Sequence, residues 1–182
     1  MLSIARMQWM RRFGRDERGV SAVEFALLLP LMVTLYLGSV EVSQGIAADR
    51  KVTMVARSVA DLVSQVSTIN NSGMSNVLAA ASSVMSPYDV SKAQVTVSLV
   101  TIDANSKATI SWSDSLNGTA RAKGSSVTLP SALLVPNTSL VWGEANFAYK
   151  PVIGYVISGT LTLKDQIYMR PRLSDTITRT AS

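Results

Sequence analysis

Apolar and polar positions divide the chain into stretches of different period. Across residues 20–42 almost every position is apolar, and the only formal charges are Glu24 and Glu41. At about 1.5 Å per residue this run is long enough to cross a hydrocarbon core of roughly 30 Å. Beyond Ala47 the pattern turns amphipathic. Val52, Val55, Ala56, Val59, Ala60, Val63 and Val66 recur at spacings of three and four, with Asp49, Arg50, Lys51, Arg57, Asp61 and Gln65 between them. The stripe predicts one helix over residues 20–67, spanning a membrane over about 20–42 and then laying an apolar face on a core. Pro30 lies inside this helix, removes one backbone donor and predicts a kink. The kink serves flexibility during extraction from a bilayer, or it is inconsequential; both readings stand.

Residues 68–73, with Asn70, Asn71 and Gly73, read as a break. Residues 74–85 read as a short second helix, capped by Ser72 or Ser75, apolar along Val77, Leu78, Ala81, Val84 and Met85, and ended by Ser86-Pro87. The period then changes to two. Val95, Val97 and Leu99 alternate with Thr96, Ser98 and Val100, and Ala108, Ile110 and Trp112 alternate with Thr109 and Ser111. Asp103-Ala104-Asn105-Ser106 between these runs supplies turn chemistry, so the pair predicts a hairpin. A polar loop starts at Asn117-Gly118. Residues 127–134 are ambiguous, because Pro130 argues against a central strand.

Residues 139–150 carry the clearest strand pattern. Val141, Gly143, Ala145, Phe147 and Tyr149 share one face, with Glu144, Asn146 and Lys150 on the other. An apolar loop or short turn segment follows at 152–159. In a last strand Leu161, Leu163, Ile167 and Met169 alternate with Thr162, Lys164, Gln166 and Tyr168. The Ser/Thr-rich tail from Ser174 is expected to fray. The class is α+β: a long N-terminal helix, a short second helix and an antiparallel sheet of about four strands packed on a helix. The organisation is a basic leader at 1–19, the long helix at 20–67, a domain at 68–173 and a tail at 174–182.

Charge sets the topology of this arrangement. The 182-residue chain has a net charge of +5, but its first 19 residues hold Arg6, Arg11, Arg12, Arg15 and Arg18 against Asp16 and Glu17. By the positive-inside rule the leader stays in the cytoplasm and the rest of the chain is exported. The remainder carries only about +2, too little for a basic groove that binds nucleic acid. An ordinary signal anchor has the same flanks. So has a secretory signal cut near Gly45-Ile46-Ala47-Ala48, although the apolar run exceeds the usual core of about 7–15 residues.

Glu24 makes the apolar run unusual. An ionisable group near the middle of a spanning helix costs roughly 2.5–3.5 kcal/mol on insertion scales, so an acid there needs a partner. Glu24 lies one turn after Val20. If the chain is cut after Gly19, Val20 acquires an α-ammonium group that Glu24 can pair with, in its own helix or a neighbouring one. Such a pair sets the axial register of packed helices. Gly19 suits a cut site, since a peptidase needs extended backbone free of bulk.

Arg18-Gly19-Val20-Ser21-Ala22-Val23-Glu24-Phe25-Ala26-Leu27-Leu28-Leu29-Pro30 resembles the class III signal of type IV pilin-like proteins. Within them it is closest to the TadE-like pseudopilins of the Flp/Tad pilus machinery, which show an acid followed by an aromatic where Glu24-Phe25 stands. The ends of the chain are similar too: Tyr149-Lys150-Pro151 and Arg170-Pro171-Arg172 stand where such proteins carry a strand, a Tyr-Lys-Pro turn and an Arg-Pro-Arg run. Many relatives carry cysteines in the exported domain, and this chain has none.

The resemblance implies a pilin-like fold in a single-pass protein of the bacterial inner membrane, with its C-terminal domain in the periplasm. It implies cleavage between Gly19 and Val20 by a prepilin peptidase, register set by Glu24, and recognition completed by Phe25. Its partners would be other pilin or pseudopilin subunits and the inner-membrane assembly platform. Arg170 and Arg172 either contact an acidic partner or flank the last strand as solvated charges; the second is the simpler reading.

The chain has no cysteine and no histidine, which excludes disulfides, a lipoprotein anchor, thiolate or imidazole metal sites and His-based triads. No Gly-x-Ser-x-Gly elbow or phosphate-binding glycine loop is present, and Asp103, Asp114 and Asp165 show no pairing for acid–base work. Trp9, Trp112 and Trp142 are too scattered for a stacking platform. The expectation is a structural protein without cofactor or catalysis. The alternatives are an uncleaved, membrane-anchored binding module and a secreted hydrolase.

Overall fold

A computed structural model describes residues 17–181. Most of the expected leader, with Trp9 and Arg11-Arg12, lies outside them. The chain forms two compact units. One comprises the N-terminal part up to Ser43 together with Val152–Ser158; the other comprises Gln44–Pro151 and Gly159–Ser182.

Helix α1, Glu17–Ser64, runs through Pro30 and contributes to both units. It begins inside the expected leader, so Gly19 is helical rather than extended, and it ends three residues short of the boundary expected at 67. Arg172 accounts for that end. Its backbone N–H donates to the Ser64 carbonyl at 2.8 Å, and its guanidinium pairs with the Asp61 carboxylate one turn earlier. An orphan carbonyl of the last turn is thereby satisfied.

In the larger unit the amphipathic stripe behaves as its spacing predicts up to Val63, whereas Val66 lies beyond the end of α1 and is only half-buried. Ala48, Val52, Val55, Ala56, Val59, Ala60 and Val63 are buried. They pack on an antiparallel sheet of β2 (Ala93–Ile102), β3 (Ala108–Leu116), β4 (Thr138–Tyr149) and β5 (Leu161–Met169), in the order β3-β2-β4-β5. Val95, Val97 and Leu99 of β2 and Val141, Ala145, Phe147 and Tyr149 of β4 supply the facing side of this core. Burying a valine fully contributes about 1.5–3 kcal/mol, so the four buried valines of the stripe hold α1 on the sheet.

The hairpin forms where expected, and Asp103 Oδ1 accepts from the backbone N–H groups of Asn105 and Lys107. Its faces differ from the expected ones. Leu99 pairs with Trp112 but Val100 pairs with Ile110, which leaves Ser111 as an extra residue. A bulge of one residue sends the side chains beyond it to the opposite face. Trp112 therefore joins the core under α1, whereas Ala108 and Ile110 join Val100, Ile102, Leu140 and Trp142 in a second cluster. The ambiguous stretch at 127–134 lies against this second cluster. It follows a bridge between Ser126 and Thr109 and forms one 3-10 turn, Ser131–Leu133, with Leu129 buried.

The second helix, α2, spans Asn71–Ser83, three residues earlier than expected. Its cap is Asn70, not Ser72 or Ser75. Asn70 Oδ1 accepts from Gly73 N at 2.8 Å, and asparagine is among the strongest N-caps. Just before it, Thr68–Ile69 forms a two-residue strand, β1, parallel to β6 (Thr178–Arg179).

The tail is accordingly tied in rather than frayed. Ile177 is 1% exposed, its carbonyl accepts from Trp112 Nε1 at 2.8 Å, and Arg179 forms a two-point ion pair with Asp114. The hydrogen bonds to Asp114 raise the pKa of Arg179 above the ordinary guanidinium value.

Candidate functional site

Gly19, Val20, Glu24 and Phe25 lie on the first turns of α1. Gly19 is open on every side: a Cβ built there meets nothing within 4 Å. Val20 and Phe25 are each more than half exposed, and Glu24 is exposed one turn after Val20. None of the ion pairs among the described residues involves Glu24. Its position at i+4 from Val20 places both on one face of the helix. Gly19 is helical, near the N-terminal end of the described residues.

Around and beyond Pro30 the exposed side chains are large and apolar, with Leu27 74% exposed and Tyr36 68%. Thr34 Oγ1 donates to the Pro30 carbonyl at 2.8 Å. Among the described residues α1 is the one helix long and apolar enough to cross a membrane.

The second acid of the apolar run, Glu41, is fully buried. Its Oε1 accepts from Tyr155 N at 2.6 Å, and its Oε2 accepts from Val156 N at 3.0 Å and Ile157 N at 2.7 Å. Three successive N–H groups around a carboxylate form an anion-binding nest. Gly154, at φ +66°, takes the left-handed conformation that starts this turn. Val156 lies over Gly38, where a Cβ would come within 3.3 Å of it, and the Tyr155 hydroxyl is 3.4 Å from Thr34 Oγ1. From the sequence Glu41 is only a charge in the apolar run and residues 152–159 only an apolar loop or turn segment. The signal was there: an acid within an apolar run needs donors, and the loop is apolar enough to share its surroundings.

The two C-terminal arginines separate. Arg172 stays more than half exposed while its guanidinium pairs with Asp61 and its backbone N–H meets the Ser64 carbonyl. Arg170 is exposed beyond the end of β5. A polar cleft of about 510 Å³ opens beside Gln94, Thr96, Asn117, Arg121, Glu144 and Asn146. Arg121 and Glu144 neutralise each other there through a two-point ion pair, with the guanidinium 4.0 Å above the Trp142 ring. Among the described residues no cluster of three acidic, His or Cys side chains is placed to hold a metal ion.

Residues 19–61 match the family model described as TadE-like protein. The chain is thus similar to TadE-like proteins over most of α1, from Gly19 to Asp61. No curated protein and no solved structure matches it.

Proposed function

We propose that the protein is a minor pseudopilin-like structural subunit in the assembly of a Flp/Tad-type pilus. In this reading α1 holds it in the bacterial inner membrane as a single-pass protein, with the C-terminal domain in the periplasm. A prepilin peptidase cuts between Gly19 and Val20. The new Val20 amine then meets Glu24 of the same or an adjacent helix, and the pair fixes the axial register of packed subunits. Phe25 completes the recognition pattern, and the partners are pilin or pseudopilin subunits and the inner-membrane assembly platform. The role is structural, not catalytic.

The observation that carries the reading is the TadE-like match over residues 19–61. It begins at the glycine of the proposed cut site and includes Glu24, an exposed carboxylate one turn after Val20 that makes no ion pair among the described residues. An exposed acid on an otherwise apolar helix is costly in lipid unless an assembly partner or the new terminus neutralises it.

The test is the intact mass of the protein from native membranes, with and without the prepilin peptidase. A chain starting at Val20 only when the peptidase is present is the expected result. An uncut chain in both strains would leave a membrane-anchored binding module.

A further inference from the structure

Among the described residues outside α1, the loop at 152–158 groups several exposed apolar side chains. Val152 is 87% exposed, Tyr155 59% and Val156 49%. It does not project freely. Glu41 holds three of its N–H groups, Val156 rests over Gly38, and the Tyr155 hydroxyl reaches Thr34. From Glu41 back to Thr34 is seven residues, or about 10 Å along the helix axis. The loop therefore runs beside the last turns of the apolar stretch, at the depth where α1 itself displays Leu35 and Tyr36 outward.

We propose that residues 152–158 form a second membrane-inserting element, an apolar loop that Glu41 ties alongside α1 so that Val152, Tyr155 and Val156 face lipid. The inference rests on the reading of α1 as a membrane span. Irregular backbone enters a bilayer only where its polar groups are satisfied. Glu41 accepts from three of the loop's N–H groups and the loop supplies the donors a buried carboxylate requires, which places the loop's remaining backbone groups at the hydrated headgroup level rather than in the hydrocarbon core. Tyr36 and Tyr155 together place two phenols near one level of the helix, the pattern of an interfacial aromatic belt. A lipid headgroup region accommodates their polar ends and apolar rings at once.

The absence of native cysteine makes the test direct. Single-cysteine variants Leu28→Cys, Lys123→Cys, Val152→Cys and Tyr155→Cys of the full chain are labelled with an environment-sensitive fluorophore. They are reconstituted in phosphatidylcholine vesicles with or without spin-labelled lipid, and iodide serves as the aqueous quencher. The expected result is loss of most emission to spin-labelled lipid at residues 28, 152 and 155, with position 123 quenched by iodide alone. Quenching by lipid at 28 but by iodide at 152 and 155 overturns the inference and leaves the membrane reading intact. No lipid quenching at 28 removes the membrane reading and the inference with it. Labels at 152 and 155 shielded from both quenchers would mean that protein, not lipid, covers the loop, which also overturns it.

Discussion

A Cβ built on Gly143 would stand 2.5 Å from the Ala56 carbonyl oxygen and 2.9 Å from Ala60 Cβ, whereas one built on Gly19 meets nothing within 4 Å. The two glycines make opposite predictions. At Gly143 the helix backbone lies directly on the strand, and no rotamer relieves a clash with backbone. Gly143→Val should destabilise the full chain in detergent by about 1–3 kcal/mol, from overpacking. Urea unfolding followed by tryptophan fluorescence reads this, and a variant as stable as its parent would deny the close approach. At Gly19 the side chain is structurally free, so Gly19→Leu should leave unfolding unchanged while keeping the chain uncut in a strain that has the peptidase. Loss of stability in that variant would point to packing instead of recognition.

At the level of elements, what the sequence revealed depended on whether local chemistry was enough. The stripe from Val52 to Val63 was legible because its spacing of three and four names one buried face, and every one of its residues is buried. The face of β4 was legible for the same reason at period two. The bulge at Ser111 was not, since nothing in Thr109-Ile110-Ser111-Trp112 marks which residue drops out of register; the mismatch is decided by what Trp112 can reach. Likewise, Gly19-Val20 and Glu24-Phe25 stood out as a motif, but the clasp between Glu41 and the 152–158 loop joins residues more than a hundred positions apart. That clasp yields its own prediction. Glu41→Ala leaves three amides without their acceptor, and each unsatisfied buried donor costs roughly 1–3 kcal/mol. The loop should then open, so hydrogen exchange at Tyr155, Val156 and Ile157 should accelerate by at least about tenfold, with Glu41→Gln intermediate. Exchange unchanged in Glu41→Ala would mean that the carboxylate does not hold the loop.

For the whole molecule the instructive element is the tail. Its composition of serine and threonine resembles a solvated terminus, and composition alone hid one buried residue, Ile177, and one ion-paired arginine, Arg179. Those two side chains connect segments distant in sequence. Ile177 sits under Trp112 of β3, Arg179 reaches Asp114 and Asn71, and the backbone of 178–180 extends the short pairing with residues 67–69. The tail therefore fastens the connection between α1 and α2 to the edge of the sheet. If that is its role, Ile177→Ala should cost about 2–5 kcal/mol, the range for emptying a well-packed apolar site. Arg179→Ala should cost less, because a partly exposed ion pair contributes on the order of 1 kcal/mol. Removing the chain after Leu173 should exceed both and shift Trp112 emission to the red as the indole loses its carbonyl partner and gains water. A truncated chain that melts with its parent and keeps a blue emission maximum would return the tail to the frayed terminus its composition suggests.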